Sequence, residues 1–239
     1  MEHTLNPNTQ IVKEKLRIAT LLAVNAGFID AYTFFHYENR FAGAQTGNLI
    51  QAGIALAQGK WTHFIGFLIP ILFFMAGVML RTFVSHIRRK YHRGDTTYLL
   101  WMQLFMILVF VTIYVIFQHL SATLCISIMS FIMAIQMNNF SVTRGLSYGS
   151  IFSTANMRSF AENMAQYFLT GKKEKIENAW VYFALIGSFF IGAALSTILQ
   201  HFIAIWTLYL SALFLLIVLY IFSRELKNME KEVELLKAH

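Results

Sequence analysis

A chain of 239 residues with 57% hydrophobic and only 13% charged residues carries too little polar material to cover a soluble domain of that size. The formal net charge of +7 is concentrated at the ends of apolar segments, where it sets membrane topology and argues against nucleic-acid binding. The single cysteine, Cys125, lies in an apolar run, which excludes a disulfide framework and a cysteine metal site.

In chain order, Met1 to Glu14 is polar and reads as a short, mobile cytoplasmic tail (residues 1–14), with no convincing signal-cleavage site after it. Apolar segments then fall near Leu16–Tyr37, Ala42–Gln58, Phe64–Val84, Tyr98–Phe117, Ala122–Phe140, Ile151–Leu169, Trp180–Leu199 and Phe202–Phe222. A helix needs about 20 apolar residues to cross a roughly 30 Å hydrocarbon core. The second and sixth segments fall short, because "QTGN" and "STANMRSFAEN" stand where lipid-facing residues belong. After the last segment, residues 224–239 extend the final helix, with Leu226, Met229, Val233 and Leu236 on one face.

The two weak segments resemble each other. A shift of 108 positions lays Ala26 on Ala134, Asp30 on Asn138, Thr46 on Thr154, Asn48 on Asn156 and Ala57-Gln58 on Ala165-Gln166. With a few inserted residues, Gly59-Lys60 falls on Gly171-Lys172 and Phe73-Phe74 on Phe189-Phe190. The order reads as an ancient duplication, with a first three-span repeat over residues 15–118 and a second over 119–223.

Charge then orients the repeats. If all eight segments crossed, the cluster from His86 to Arg93 would face away from the basic N-terminus. If the second and sixth segments dip in and return, the N-terminus, Arg88–Arg93, Arg144, Lys172–Lys175 and the basic C-terminus share one face, the cytoplasmic one. The expected fold is therefore an all-α integral membrane protein: six transmembrane helices, two re-entrant half-helix segments and two inverted structural repeats. The expected location is the cell membrane, with multiple passes and both termini cytoplasmic.

Irregular backbone at membrane depth needs protein or water to satisfy its polar groups. Gly43 and Gly47 permit a tight turn there. Thr46 and Thr154 read as caps of the short helices. The two helix starts would converge near the midplane, each with a positive dipole end, and Asn48 and Asn156 would add side-chain amides. The competing explanation is close packing of small residues, for which Gly43-x-x-x-Gly47 also suffices. Asp30, deep in the first helix, needs a partner or water; Arg158 or an amide of the other half would serve. Arg158 and Glu162 are spaced for an ion pair on one helix. Asn25, Gln136, Asn138 and Asn139 read as interhelical hydrogen bonds. The histidines form no metal motif, and no nucleotide fingerprint or catalytic triad is present.

The stretches "NAGFIDAYTFF" (Asn25–Phe35) and "AGAQTGNLIQAGIALAQG" (Ala42–Gly59) resemble the YoaK-type bacterial membrane proteins, a family known mainly as a domain of unknown function. Gly27, Asp30, Ala31, Thr33, Thr46, Gly47, Asn48 and Leu49 match its G-[FY]-x-D-A-x-[ST]-[FY] and T-G-N-[LM] patterns. The second half departs from it with Thr154-Ala155-Asn156 and Arg158. The resemblance covers nearly the whole chain and implies no activity.

The residues thus point to a small secondary transporter or channel for a small polar or anionic solute. Its expected solute-binding residues are Asp30, Thr46, Gly47, Asn48, Thr154, Asn156 and Arg158. The alternative is a non-transporting membrane scaffold or sensor whose polar residues only pack helices. No enzymatic activity, metal or cofactor is expected. The expected partners are the solute and the lipid bilayer, and homo-oligomerisation is left open by the sequence.

Overall fold

Six stretches of helix among the described residues are long and apolar enough to cross a membrane. They belong to α1 (Leu16–His36), α3 (Trp61–Lys90), α4 (Thr96–Ile116), α5 (Ala122–Asn139), α7 (Lys173–Ile203) and α8 (Thr207–Lys237). Two further helices, α2 (Gln45–Ala57) and α6 (Ser153–Thr170), coincide with the weak segments. The computed structural model describes residues 11–91, 94–117, 119–150, 153–203 and 206–237. Expectations for residues 1–10, for His92 and Arg93 in the basic cluster, for Ile151, and for the side chains of Val233 and Leu236 lie outside what is described. Multi-pass helical architecture is as the hydropathy requires, with one addition. A two-stranded antiparallel hairpin pairs β1 (Val142–Thr143) with β2 (Leu146–Ser147) in the α5–α6 connection. Its turn residues Arg144 and Gly145 both have positive φ, 50° and 74°, the backbone that a tight two-residue hairpin turn demands.

The helices pair reciprocally. α1 packs on α7 and α3 on α5; α2 packs on α3 and α6 on α7; α1 packs on α8 and α5 on α4. The spans of α1 and α5 are the most enclosed, 67% and 61% buried, so they form the centre and the other spans surround them. Backbone contact draws the central pairs together. A Cβ on Gly27 would lie 2.0 Å from the Phe189 carbonyl oxygen, one on Gly192 2.0 Å from that of Val24, and one on Gly77 2.4 Å from that of Phe131. Small residues at crossings let dispersion contacts replace lipid contacts, which is what holds helices together in a bilayer.

Polar contacts define the two ends of the bundle. At one end Lys15, at the N-cap of α1, and Arg17 within it both pair with Glu225 of α8. There too the Glu14 carbonyl accepts from the Arg144 N–H (3.0 Å) and the Thr143 hydroxyl (2.8 Å), and Arg89 at the end of α3 reaches Asp95 at the start of α4 (3.5 Å). The tail expected to be free through Glu14 is therefore docked over its last residues, with Val12 fully buried. Its backbone is anchored by the hairpin, which local composition did not announce. At the other end Phe35 of α1 meets His201 of α7, and Tyr37 meets Tyr114 of α4. There Arg40 donates to Thr123 at the start of α5 (2.9 Å).

Candidate functional site

After α1 the chain reverses through Glu38 and Asn39, both at positive φ, and returns along α1. The Gly43 N–H donates to Asp30 Oδ1 at 2.6 Å, and the Ala42 N–H donates to the Thr33 hydroxyl at 3.2 Å. Asp30 precedes the end of α1 by six residues, so α2 starts beside the middle of α1, about 9 Å below its end at 1.5 Å per residue. Asp30, Thr33 and Phe34 lie three to four residues apart, on one helix face. The motif G-F-I-D-A-Y-T-F therefore works as a unit. Gly27 admits α7, Asp30 and Thr33 receive the returning backbone, and Phe34 stacks on Phe41 with ring centroids 4.9 Å apart.

Each of α2 and α6 is tied to its entry loop by one asparagine. The Phe41 N–H donates to Asn48 Oδ1 (2.9 Å), and Asn48 Nδ2 donates back to the Phe41 carbonyl (2.7 Å). In the second half the Gly149 N–H donates to Asn156 Oδ1 (3.2 Å), and Asn156 Nδ2 donates to the Gly149 carbonyl (2.9 Å). Asn48 is 0% and Asn156 3% exposed. The expectation that these amides face a common cavity is thus corrected. Buried backbone groups need partners, and the asparagines supply them to their own loops. The capping expectation is corrected as well. α2 has Ala44 at its N-cap position with no side-chain cap bond, and both Thr46 and Thr154 lie within the first turn of their helices.

One cavity of about 980 Å³ lies where α1, α2, α6 and α7 meet. Thr46 and Gly47 line it from the first turn of α2, and Ser153, Thr154 and Ala155 from that of α6. Asp30, Ala31, Phe34, Phe41, Phe189 and Ala193 add walls, and Arg158 borders it. Five of the seven expected site residues meet there: Asp30, Thr46, Gly47, Thr154 and Arg158. Asn48 and Asn156 support it from behind.

Asp30 is 3% exposed, and its Oδ2 has no hydrogen-bond partner. Neither partner expected for this carboxylate holds it; the other oxygen accepts from the Gly43 N–H of its own half. Arg158 instead pairs with Glu162 at 2.7 Å, its side chain 79% exposed. Composition gave no sign that Phe34, Phe41 and Phe189 would form the apolar walls of one cavity. Gln45, which donates to the Ala42 carbonyl (2.7 Å) and accepts from Asn48 (2.8 Å), was also missed, although it adjoins the T-G-N motif.

Away from the cavity, Asn25 donates to Gln136 (2.9 Å), which also accepts from Gln103 (3.2 Å), and Ser211 donates to Asn25 (2.6 Å). Gln136 itself donates to the Leu22 carbonyl (3.0 Å). These groups join α1, α4, α5 and α8 at the bundle centre, as interhelical hydrogen bonds.

Six apolar spans around a buried polar centre define a multi-pass helical membrane protein. The chain belongs to the family described as "Protein of unknown function (DUF1275)", whose pattern matches residues 18–221. The YoaK-type proteins are members of that family. No curated protein and no solved structure matches the chain.

Proposed function

We propose that this protein is a small secondary transporter or channel for a small polar or anionic solute, bound where α2 and α6 begin. One observation carries the reading. A single cavity is lined by the first turns of both short helices and by a buried carboxylate with an unpartnered oxygen. Packing alone does not require a buried, half-satisfied acid, whose desolvation is costly.

In this reading α2 and α6 are re-entrant, and the halves are inverted copies about a pseudo-two-fold axis in the membrane plane. Three observations support it. α1 begins at the end of the bundle where α3 and α8 finish, so α2 leaves and returns at the opposite end. The 13 residues of α2 rise about 20 Å, short of a roughly 30 Å core. The helix pairings are reciprocal under exchange of the halves. α6, with 18 residues, is longer than a half-helix, and its last turns run beside the polar start of α7. The basic end would face the cytoplasm, with both termini, in the cell membrane.

A scaffold or sensor is the second reading, favoured by the structural use of Asn48, Asn156 and the Asn25–Gln136 network. Thermal unfolding of the purified protein over a panel of small anions, amino acids and sugars separates the two, followed by flux into proteoliposomes. A transporter or channel gives a stabilising solute that also crosses the membrane. No stabilisation and no flux across the panel would end the transporter reading.

A further inference from the structure

The two helix starts share one construction but differ in one charge. At α2, Asp30 receives the Gly43 N–H (2.6 Å), and its carboxylate offsets the positive end of the helix dipole. The position 108 residues later is Asn138, which is uncharged. Its side chain turns to Thr82 of α3 (3.5 Å) rather than to the start of α6. Among the described residues no acid stands in the first turn of α6, so that turn keeps its positive end, and the charged residue bordering the cavity on that side is Arg158. Arg158 uses its Nε on Glu162; a guanidinium has further N–H donors. The cavity thus has an acid at one end and, at the other, a helix start beside the Arg158–Glu162 ion pair, and Phe34, Phe41 and Phe189 line the space between.

From this asymmetry we infer that the solute is a zwitterion with an apolar body. Its ammonium group docks on the unpartnered Asp30 Oδ2, and its anionic group lies over the first turn of α6 near Arg158. The inference rests on the transporter reading above and names the chemical class of its solute. Each part answers a feature of the cavity. A buried carboxylate oxygen without a partner calls for a charged donor. A helix start without an acid calls for an anion. Aromatic walls call for apolar surface between them. A purely anionic solute would lie against Asp30, and a purely cationic one against the start of α6.

The test uses the purified full-length protein and matched probes: leucine and phenylalanine, their amine-free analogues isocaproate and hydrocinnamate, and their carboxylate-free analogues isoamylamine and phenethylamine. At least one amino acid should raise the thermal midpoint and bind about tenfold tighter than both of its analogues, the scale of one charge-assisted hydrogen bond. Asp30→Asn keeps an acceptor for the Gly43 N–H and should abolish the preference over the amine-free analogue. Arg158→Gln, at an exposed position, should weaken the preference over the amine and serves if Asp30→Asn does not fold. Equal binding of amino acid and amine-free analogue, or an unchanged preference in both variants, overturns the zwitterion while leaving transport standing. So does stabilisation by sugars or inorganic anions when all six probes fail. Absence of any stabilising solute, with no flux, overturns both.

Discussion

Asn48 and Asn156 each close a ring of two hydrogen bonds onto the N–H and C=O of the residue seven positions earlier. Replacing either by Leu strands a half-buried N–H and C=O, at up to about 1–3 kcal/mol for each orphaned group. Both variants should therefore lose stability in reversible unfolding from mixed micelles, and by similar amounts, because the two rings are built alike. An unchanged midpoint would mean that water can replace the asparagine and that these loops are open to solvent. The glycines give a sharper contrast. Gly192→Ala drives a methyl group into the Val24 carbonyl, 2.0 Å from the added carbon, so α1 and α7 must separate, at about 1–3 kcal/mol or more. At Gly53 nothing lies within 4 Å of an added Cβ. There Ala should be neutral, or stabilising by up to about 1 kcal/mol from helix propensity. Equal effects at the two positions would count against the close α1–α7 crossing.

The docked segment before α1 is held by charges that only this packing brings together. Burial pushes the Lys13 ammonium down from 10.5 to about 8, with Arg81 and Arg89 adding to the shift and Asp95 and Glu14 opposing it. Lys13 also lies over the Phe140 ring, 5.6 Å from its centroid. Below pH 8 the lysine is charged in both the folded and unfolded states, and the burial penalty is present in full. Between about 8 and 10.5 the folded state releases the proton first, so this group's contribution makes stability rise with pH across that window. Lys13→Met should remove the rise and stabilise the protein below pH 8, by on the order of 1–3 kcal/mol. Unfolding of wild type and variant compared from pH 7 to pH 10 reads this directly, and parallel curves would refute it. Glu225→Gln acts on the same region by weakening the ties from Lys15 and Arg17 to α8. It should speed proteolysis of the N-terminal segment without changing the cavity.

For the bundle as a whole, the proposed inverted arrangement has a direct consequence. The connection between α2 and α3 and that between α6 and α7 should lie on opposite faces of the membrane. A single cysteine at Lys60, in a Cys125→Ser background, should label from outside, and one at Lys172 from the cytoplasm. Labelling of both from the same face would remove the inverted repeat and with it the proposed place of the cavity near the midplane.

Hydropathy sufficed for the six spans, and the break in it at "QTGN" and "STANMRSF" located the two short helices. Both depend only on the transfer free energy of consecutive side chains between water and lipid, a property of local composition. The recurrence of Thr and Asn at a spacing of 108 marked the two helix starts that line one cavity, again without tertiary information. Which way the side chains of those starts point was beyond reach. Asn48 faces its own loop because the Phe41 backbone needs a donor and an acceptor once it is buried, and the burial comes from α1 returning the chain to the depth of Asp30. Asp30 takes a backbone amide rather than Arg158 because a two-residue reversal at Glu38 and Asn39 delivers Gly43 to it, while Arg158 is met sooner by Glu162 one turn away. The aromatic walls are equally non-local. Phe34 and Phe189 belong to helices far apart in sequence, and the close approach at Gly27 and Gly192 rotates both toward one space. Composition records how much each residue favours lipid, but the direction of a side chain depends on helix rotation and on contacts between distant segments, and these exist only once the chain has packed.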